Sequence, residues 1–388
     1  MKLEGRRILI AGSADRESPE VNLAYAHALV SELTQALAVK GANFIISFGS
    51  DPKLKNRVDG PSIIFDWTVA EILRKALDAG QAPPSGIPGR LITAVGTQKT
   101  FEKIPQNRLE TYTALRSAKS MNVVFIEPGW GSGAVRRARQ AQLGDILIGI
   151  SGGEGVEHLA QEFAHRGKHV IPLDLDLGAS CADGSGGAAR LFGEALNAPN
   201  LFFRVAPDES GPELLDRTRT RNGIVPHKQV ADAIIDMLER LVPPHVFYVR
   251  LLNRDLPDYP FVEDFFRNII DPTIIDLGFE PLQMGIGPNE YAWMNQAIFD
   301  SLHHSEVVLV DLTGVRPNCF MELGYALGNT QRVIVTARKG TKVPFDPSCL
   351  ETYLWDPIET TAKSRQDFRD HWTRNINMPP LVRPRGLG

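Results

Sequence analysis

Apolar and polar positions alternate along the first half of the chain in blocks of two kinds. Short apolar runs rich in Ile, Val and Phe are typical of buried strands, and longer segments with apolar residues at helical spacing are typical of helices. Strands that alternate with helices predict a parallel, doubly wound sheet of Rossmann-like α/β type. The strand-like runs occupy residues 7–14, 43–49, 91–95, 121–127, 145–150 and 169–174, and the helical segments include residues 23–39, 67–79 and 157–165.

Glycines follow several of these predicted strands, and a basic helix precedes the richest of the glycine turns. Such glycines let a phosphate approach the backbone, and the N-terminus of a helix favours an anion. The pattern predicts a phosphate site, with tight turns and a solvated arginine face as the alternatives. The residues concerned are Gly12, Ser13, Ala14, Gly49, Arg136, Gly152, Gly153 and Gly155.

A break in the pattern separates this half from the rest. Residues 206–212 are polar and rich in Pro and Gly, and a helical segment follows before Pro243 and Pro244. Beyond it, shorter strand-like runs again alternate with helical segments. We therefore expect a first domain over residues 1–205, a linker with a helix over 206–245, and a smaller flavodoxin-like doubly wound domain over 246–388.

The most informative stretch of the second half is an apolar β-branched run followed by a turn and a helix. Asp311 stands where the predicted strand ends, and Glu322 falls roughly one helical turn beyond Asn318. Ligands of open α/β sheets bind at the carboxyl ends of the strands. The polar side chains of this stretch are therefore expected to converge on one crevice, and they are Asp311, Arg316, Asn318 and Glu322.

Glu322 is suited to cleaving an N-glycosidic bond. Cleavage develops a sugar cation at C1', which one carboxylate can stabilise as a nucleophile or by its charge. The nicotinamide of NAD leaves as a neutral base, whereas an adenine or pyrimidine usually needs a proton donor, and Asp311 could assist there. The alternatives are that Glu322 is a helix-surface glutamate and that Asp311 caps the helix.

Composition narrows the classes of protein to consider. With 388 residues, 43% of them hydrophobic, the chain can bury a sizeable core, and a net charge of -4 argues against a broad nucleic-acid-binding face. The 3 cysteines, Cys181, Cys319 and Cys349, are far apart, which fits a reducing cytoplasm and argues against a structural metal site. No apolar run approaches the roughly 20 residues of a membrane helix. We expect a cytoplasmic protein without a metal or cofactor.

The first domain resembles the SLOG superfamily, which includes the LOG phosphoribohydrolases, the DprA family and ligand sensors found beside TIR and sirtuin effectors. The resemblance covers roughly residues 6–205 and depends on the two glycine turns and the strand that starts at Asp145. By spacing, the arginine of LOG enzymes corresponds to Arg136. Ser151, Val156 and His158 depart from the LOG pattern, so the resemblance implies a nucleotide-binding sensor.

The stretch around Glu322 resembles the signature of nucleoside 2-deoxyribosyltransferase-like domains, which are related to TIR-type NAD hydrolases. This resemblance covers about residues 246–356. The family's catalytic carboxylate is the glutamate of a Glu-Leu-Gly-Tyr-Ala helix, which here is Glu322. The opening strand and its loop line the same pocket in that family, which implies substrate contacts for Tyr248, Arg250 and Asn253.

Together the two resemblances imply a two-part effector of the kind that bacterial anti-phage systems use to deplete nucleotides. The first domain would bind a nucleotide signal, and the second would cleave N-glycosidic bonds in NAD or nucleotides, which are substrates and not cofactors. The alternatives are a metabolic nucleoside 2-deoxyribosyltransferase and a non-catalytic nucleotide sensor. Enzymes of this type often complete the pocket with a neighbouring subunit, so a homo-oligomer is expected.

Overall fold

A computed structural model of the chain describes residues 1–55, 57, 59–80, 91–126, 129, 131–179, 181, 186–282, 294–329, 332–343 and 350–376. The chain divides into two compact units, of which the first is Met1–Val242 and the second begins at Pro243. Cys349 lies outside the described residues, and so do the first residues of a helix that the sequence predicts over residues 291–302. Among the described helices, none combines the length and the apolar character that crossing a bilayer requires.

The first unit contains a six-stranded sheet in the described residues, and all of its neighbouring strands are parallel. Its strands are β1 (Arg7–Ser13), β2 (Asn43–Ile46), β3 (Ile92–Gly96), β4 (Met121–Phe125), β5 (Ile146–Ser151) and β6 (His169–Leu173). Their order is β4-β3-β2-β1-β5-β6. The chain moves outward from β1 in one direction and then crosses to its other side, so the topological switch point lies between β1 and β5.

Helices cover both faces of this sheet, because successive side chains of each strand point to opposite faces and both sets are apolar. Ile8 and Ile10 of β1 belong to one core cluster and Leu9 to another. The helices are α1 (Glu20–Val39), α2 (Asp66–Asp78), α3 (Gln98–Phe101), α4 (Gln106–Ser117), α5 (Ser132–Leu143), α6 (Glu154–Ala164), α7 (Gly187–Asn197), α8 (Gly211–Asp216) and α9 (His227–Arg240), with a 3₁₀ turn at Pro199–Leu201. The apolar side of α9, which includes Val230 and Ile234, packs into the larger cluster.

The second unit contains a smaller sheet, again with only parallel pairs among the described strands. Its strands are β7 (His245–Val249), β8 (Glu280–Leu282), β9 (Val307–Asp311), β10 (Arg332–Arg338) and β11 (Thr352–Trp355). The order β11-β10-β9-β7-β8 places the switch point between β7 and β9. The structure thus confirms an α/β fold with two doubly wound parallel sheets.

One continuous helical stretch of the second unit changes from α-helical to π-helical hydrogen bonds just before a proline. A π-helical turn over Phe266–Ile270 lies just before Pro272, which has no N–H and whose ring would clash with a regular α-helical carbonyl. The sequence predicts a helix over residues 261–275, with a break near Pro272 as the alternative, and the chain stays helical there. The helices are α10 (Tyr259–Phe265), α11 (Asp271–Asp276), α12 (Met294–His304), α13 (Pro317–Gly328) and α14 (Thr361–Asn375).

Asp311 ties the carboxyl ends of three neighbouring strands together. Its side chain is fully buried at the end of β9 and accepts hydrogen bonds from Thr336 Oγ1 of β10 at 2.8 Å and Trp355 Nε1 of β11 at 2.9 Å. The backbone N–H of Thr313 donates to its other oxygen at 3.0 Å. Burial raises the pKa of Asp311, and these three donors partly offset that effect by favouring the charged form.

Replacing Asp311 should therefore weaken the second unit. In Asp311→Asn, an NH₂ group replaces one acceptor oxygen and faces a donor that then has no acceptor. We expect the free energy of unfolding to fall by about 1–3 kcal/mol in chemical denaturation. The exposed Asp264→Asn of the same unit is the control, with a change within about 0.5 kcal/mol. Equal stability of the two variants would contradict this role for Asp311.

Candidate functional site

A cavity of about 200 Å³ lies at the switch point of the second sheet. It is bounded by the end of β7 with the loop that follows, by α12 and by the first turns of α13. Six residues that the sequence predicts to touch substrate or to carry the chemistry line it together. They are Tyr248, Arg250, Asn253, Arg316, Asn318 and Glu322.

The turn between β9 and α13 directs the first residues of α13 towards the cavity. Gly314 and Val315 both have positive φ, at 77° and 49°, which reverses the chain over two residues. Pro317 then starts α13, since its fixed φ and missing N–H suit the first position of a helix. Asn318 and Glu322 are four residues apart on α13, so they project from one face of the helix towards the same space.

Glu322 is half-buried at this cavity, and burial raises the pKa of its carboxyl. Within the described residues, no cation forms an ion pair with it. Arg250 is engaged differently, because its guanidinium pairs with Glu263 at 2.8 Å and lies 4.7 Å from the ring centroid of Phe266. The Cys319 thiol also lines the cavity, and burial together with the negative charge of Glu322 raises its pKa, so it remains a protonated thiol near neutral pH.

Asp311 is the predicted catalytic residue that does not line this cavity among the described residues. Its carboxylate is enclosed beneath the end of β9 by the donors described above. The structure therefore separates the two carboxylates that the sequence expects to act together. The sequence shows that Asp311 ends a strand, but only the pairing of β9 with β10 brings Thr336 beside it, and Trp355 is contributed by β11.

A second, larger cavity of about 410 Å³ lies in the first unit, at the carboxyl ends of β1 and β2 beside the N-terminal turn of α6. This location is again the topological switch point, where doubly wound sheets bind ligands. Six of the residues predicted to bind a phosphate line it: Gly12, Ser13, Gly49, Arg136, Gly153 and Gly155. Ala14 and Gly152 are not among its lining residues.

Two of the predicted glycines are required by the fold itself. A Cβ at Gly12 would overlap the carbonyl oxygen of Ile150 on the neighbouring β5. Gly152 has a φ of 78° directly after Ser151, which also has a positive φ, and a Cβ there would overlap the side chain of Val156. The tight-turn interpretation therefore explains Gly152, whereas Gly153 and Gly155 border the cavity.

The polar side chains of this cavity include several that the sequence analysis misses. Lys103, Gln140, Ser47 and Asp66 line it together with Arg136. Asp66 is the first residue of α2, and its Oδ1 accepts a hydrogen bond from the backbone N–H of Ser47 at 2.8 Å. An acidic residue in the first turn of a helix is also a common capping signal, so the sequence alone does not mark Asp66 as a cavity residue.

Comparison with known proteins now identifies the family. The family described as "ATP nucleosidase Cap17-like, N-terminal" matches residues 3–240. The chain belongs to this Cap17-like family. The matched residues coincide with the first unit of the structure, so the larger cavity lies inside the part that the family shares.

Curated relatives of this Cap17-like chain include "ATP nucleosidase Cap17" of Escherichia coli strain KTE188 and the protein of the same name from Escherichia coli. Each is 24% identical over 179 residues, or 46% of this chain, and the chain spans about a third (34%) of the relatives' length. Among solved structures, a glycoside hydrolase family 3 β-N-acetylglucosaminidase from Paenibacillus sp. str. FPU-7 aligns with 97% of this chain and 96% of its own at 11% identity. Its TM-score of 0.21 is too low to carry an argument.

The overlap at Gly12 gives a direct test of the first cavity's framework. In Gly12→Ala, the new methyl group meets the backbone of β5, which cannot move without breaking the pairing of β1 with β5. We expect the free energy of unfolding to fall by about 1–3 kcal/mol or more, measured by chemical denaturation. In the control Gly193→Ala, the added Cβ meets open space within α7, and stability should be unchanged or rise by about 0.5–1 kcal/mol. A Gly12→Ala protein as stable as this control would refute the packing argument.

Proposed function

We propose that the chain is a nucleotide N-glycosidase whose second unit cleaves the bond between base and sugar at Glu322. The observation that carries this proposal is the carboxylate itself: Glu322 lines a cavity, is half-buried and has no ion-pair partner among the described residues. An unpaired carboxylate beside a small cavity is suited to a cation that develops at C1' of a bound sugar. The name of the relatives, ATP nucleosidase, supports an adenine nucleotide as the substrate to test first.

In this proposal, the residues around Glu322 hold the sugar and the departing base. Asn318 lies one helical turn before Glu322 and offers an amide to a ribose hydroxyl, and Asn253 approaches from the loop after β7. Arg316 supplies a charged donor at the start of α13. Hydrolysis of ATP would then consume water and yield adenine and ribose 5-triphosphate. Asp311 would act by holding the end of β9 that carries this turn, and not by touching the substrate.

The first unit would bind the nucleotide that controls the reaction. Support comes from the position of the larger cavity at the switch point and from the cations and glycine turn that line it. Control by this nucleotide, a role in anti-phage defence and a homo-oligomeric state are parts of the proposal that follow from the resemblances. NAD stays an alternative substrate, because its nicotinamide leaves as a neutral base and needs no proton donor.

The decisive experiment follows base release by chromatography. The protein is incubated with ATP, dATP and NAD, with and without cyclic nucleotide and cyclic ADP-ribose-type signals. The wild-type chain should release adenine or nicotinamide, and Glu322→Gln should lose at least about a thousandfold in kcat, because the neutral amide neither attacks C1' nor stabilises its charge.

Glu280→Gln is the control for this variant, because Glu280 is an exposed glutamate on β8 of the same unit and outside the cavity. Its activity should match that of the wild type. Full activity in Glu322→Gln would refute the proposal. Addition of a free base separates hydrolysis from transfer, since a 2-deoxyribosyltransferase would exchange the base of a nucleoside without any signal.

The pH dependence of the reaction should report the environment of Glu322. Burial raises the pKa of this carboxyl above the ordinary value of 4.5, and the carboxylate must be charged to act. We therefore expect kcat/KM to fall as the pH drops through a midpoint above 4.5, and to be constant above it until another group titrates. An activity that stays constant down to pH 4.5 with a folded protein would contradict a catalytic role for a buried Glu322.

A further inference from the structure

The cavity of about 410 Å³ in the first unit has opposite charges on its walls. Arg136 lines it from α5 and Lys103 from the segment after α3, whereas Asp66 lines it from the start of α2. Arg136 is near enough to Asp66 to influence its titration, yet no ion pair joins the two among the described residues. Facing charges that are not paired across a cavity can be bridged by a ligand with an anion at one end and hydrogen-bond donors at the other.

The anionic end is defined by α5 and α6. The N-cap residue of α6 is Gly153, which has no side chain to cap the helix, and Gly153 and Gly155 border the cavity. Arg136 and Arg137 both line the same space, and Arg137 also donates from Nε to His158 Nδ1 at 2.9 Å. The two arginines and the first turn of α6 are therefore groups available to a phosphate, and Arg136 is the one of the two without a side-chain hydrogen bond or ion pair in the described part of the chain.

The donor-binding end is defined by Asp66. Although Asp66 is far from β2 in sequence, its hydrogen bond from the N–H of Ser47 holds the carboxylate directly after Ile46, the last residue of β2. In dinucleotide-binding sheets, an acidic residue that binds the ribose hydroxyls lies near this point. Burial raises the pKa of Asp66, while the Ser47 N–H and the charge of Arg136 favour its ionised, accepting form. Gln140 donates to Ser47 Oγ at 2.9 Å and so supports the loop that positions this carboxylate.

We propose that this cavity binds a ribonucleotide in one orientation, with its 5'-phosphate against Arg136 and the α6 turn and its ribose 2'- and 3'-hydroxyls donating to Asp66. The inference rests on the proposed function only in that the first unit takes a nucleotide. The cavity volume of about 410 Å³ falls within the roughly 300–1,000 Å³ range of sites for ligands of this size.

Binding is tested by calorimetry on the full chain carrying Glu322→Gln, so that the nucleotide stays intact. The probes are AMP, 2',3'-dideoxy-AMP, ribose 5-phosphate and ADP-ribose. AMP should bind at least about tenfold more tightly than its dideoxy analogue, because the hydroxyls donate to a carboxylate. Adding Asp66→Asn should remove this preference, since one acceptor oxygen is lost, while the amide oxygen still accepts from Ser47. Adding Arg136→Gln should weaken the binding of AMP and of ribose 5-phosphate by a similar factor, about ten or more.

Asp78→Asn is the matched control, because Asp78 is exposed on the last turn of the same helix and outside the cavity. Its binding should equal that of the parent chain. Retained preference for AMP in Asp66→Asn, an unchanged affinity in Arg136→Gln, or no binding of AMP and ADP-ribose at millimolar concentration would each overturn the assignment. A wild-type chain that releases no base, while AMP binding depends on Asp66 as described, would overturn the glycosidase and leave this site standing.

Discussion

Parallel pairing of the strands is the constraint on which the rest of the structure depends. A parallel sheet needs a helical crossover between strands, so helices cover both of its faces. The ends of the strands are left as the places where polar groups meet solvent. All described strand pairs in both units are parallel. The two cavities that hold the candidate ligand contacts lie at the carboxyl ends of the strands, each at the point where the strand order reverses.

Three partly or fully buried carboxyl groups, those of Asp311, Glu322 and Asp66, have different roles although burial disfavours the charged form of each. Burial raises the pKa of Asp311, Glu322 and Asp66 alike. Asp311 has donors from three elements and links the ends of β9, β10 and β11, which makes it part of the framework. Glu322 borders a cavity without an ion-pair partner among the described residues, and Asp66 borders one with a single backbone donor from another segment. The direction of the pKa shift is the same for all three carboxyls. Their hydrogen-bond partners distinguish Asp311, which is part of the framework, from Glu322 and Asp66, which are candidates for ligand contact.

The family match and the candidate chemistry fall on different units of the chain. The Cap17-like match covers the first unit, whereas Glu322 lies on α13 of the second. Under the proposed function, what this chain shares with its family is the nucleotide-binding part, and the bond-cleaving part is attached to it as a separate fold. A chain organised in this way can keep one kind of signal recognition while the chemistry attached to it changes.

Much of this organisation is present in the sequence. Alternating apolar blocks determine the α/β class, and the run before Asp311 determines a strand followed by a turn and a helix, because hydrophobic periodicity and proline act locally. The same periodicity does not predict β11, which has only four residues. It does not predict α14 either, whose apolar stripe is narrow, with Phe368 and Trp372 one turn apart. Tertiary structure decided what the side chains do: it enclosed Asp311 beneath the sheet, opened a cavity beside Glu322 and brought Asp66 to the end of β2. Those outcomes depend on hydrogen bonds and neighbours contributed by distant strands and loops, which no local pattern in the chain encodes.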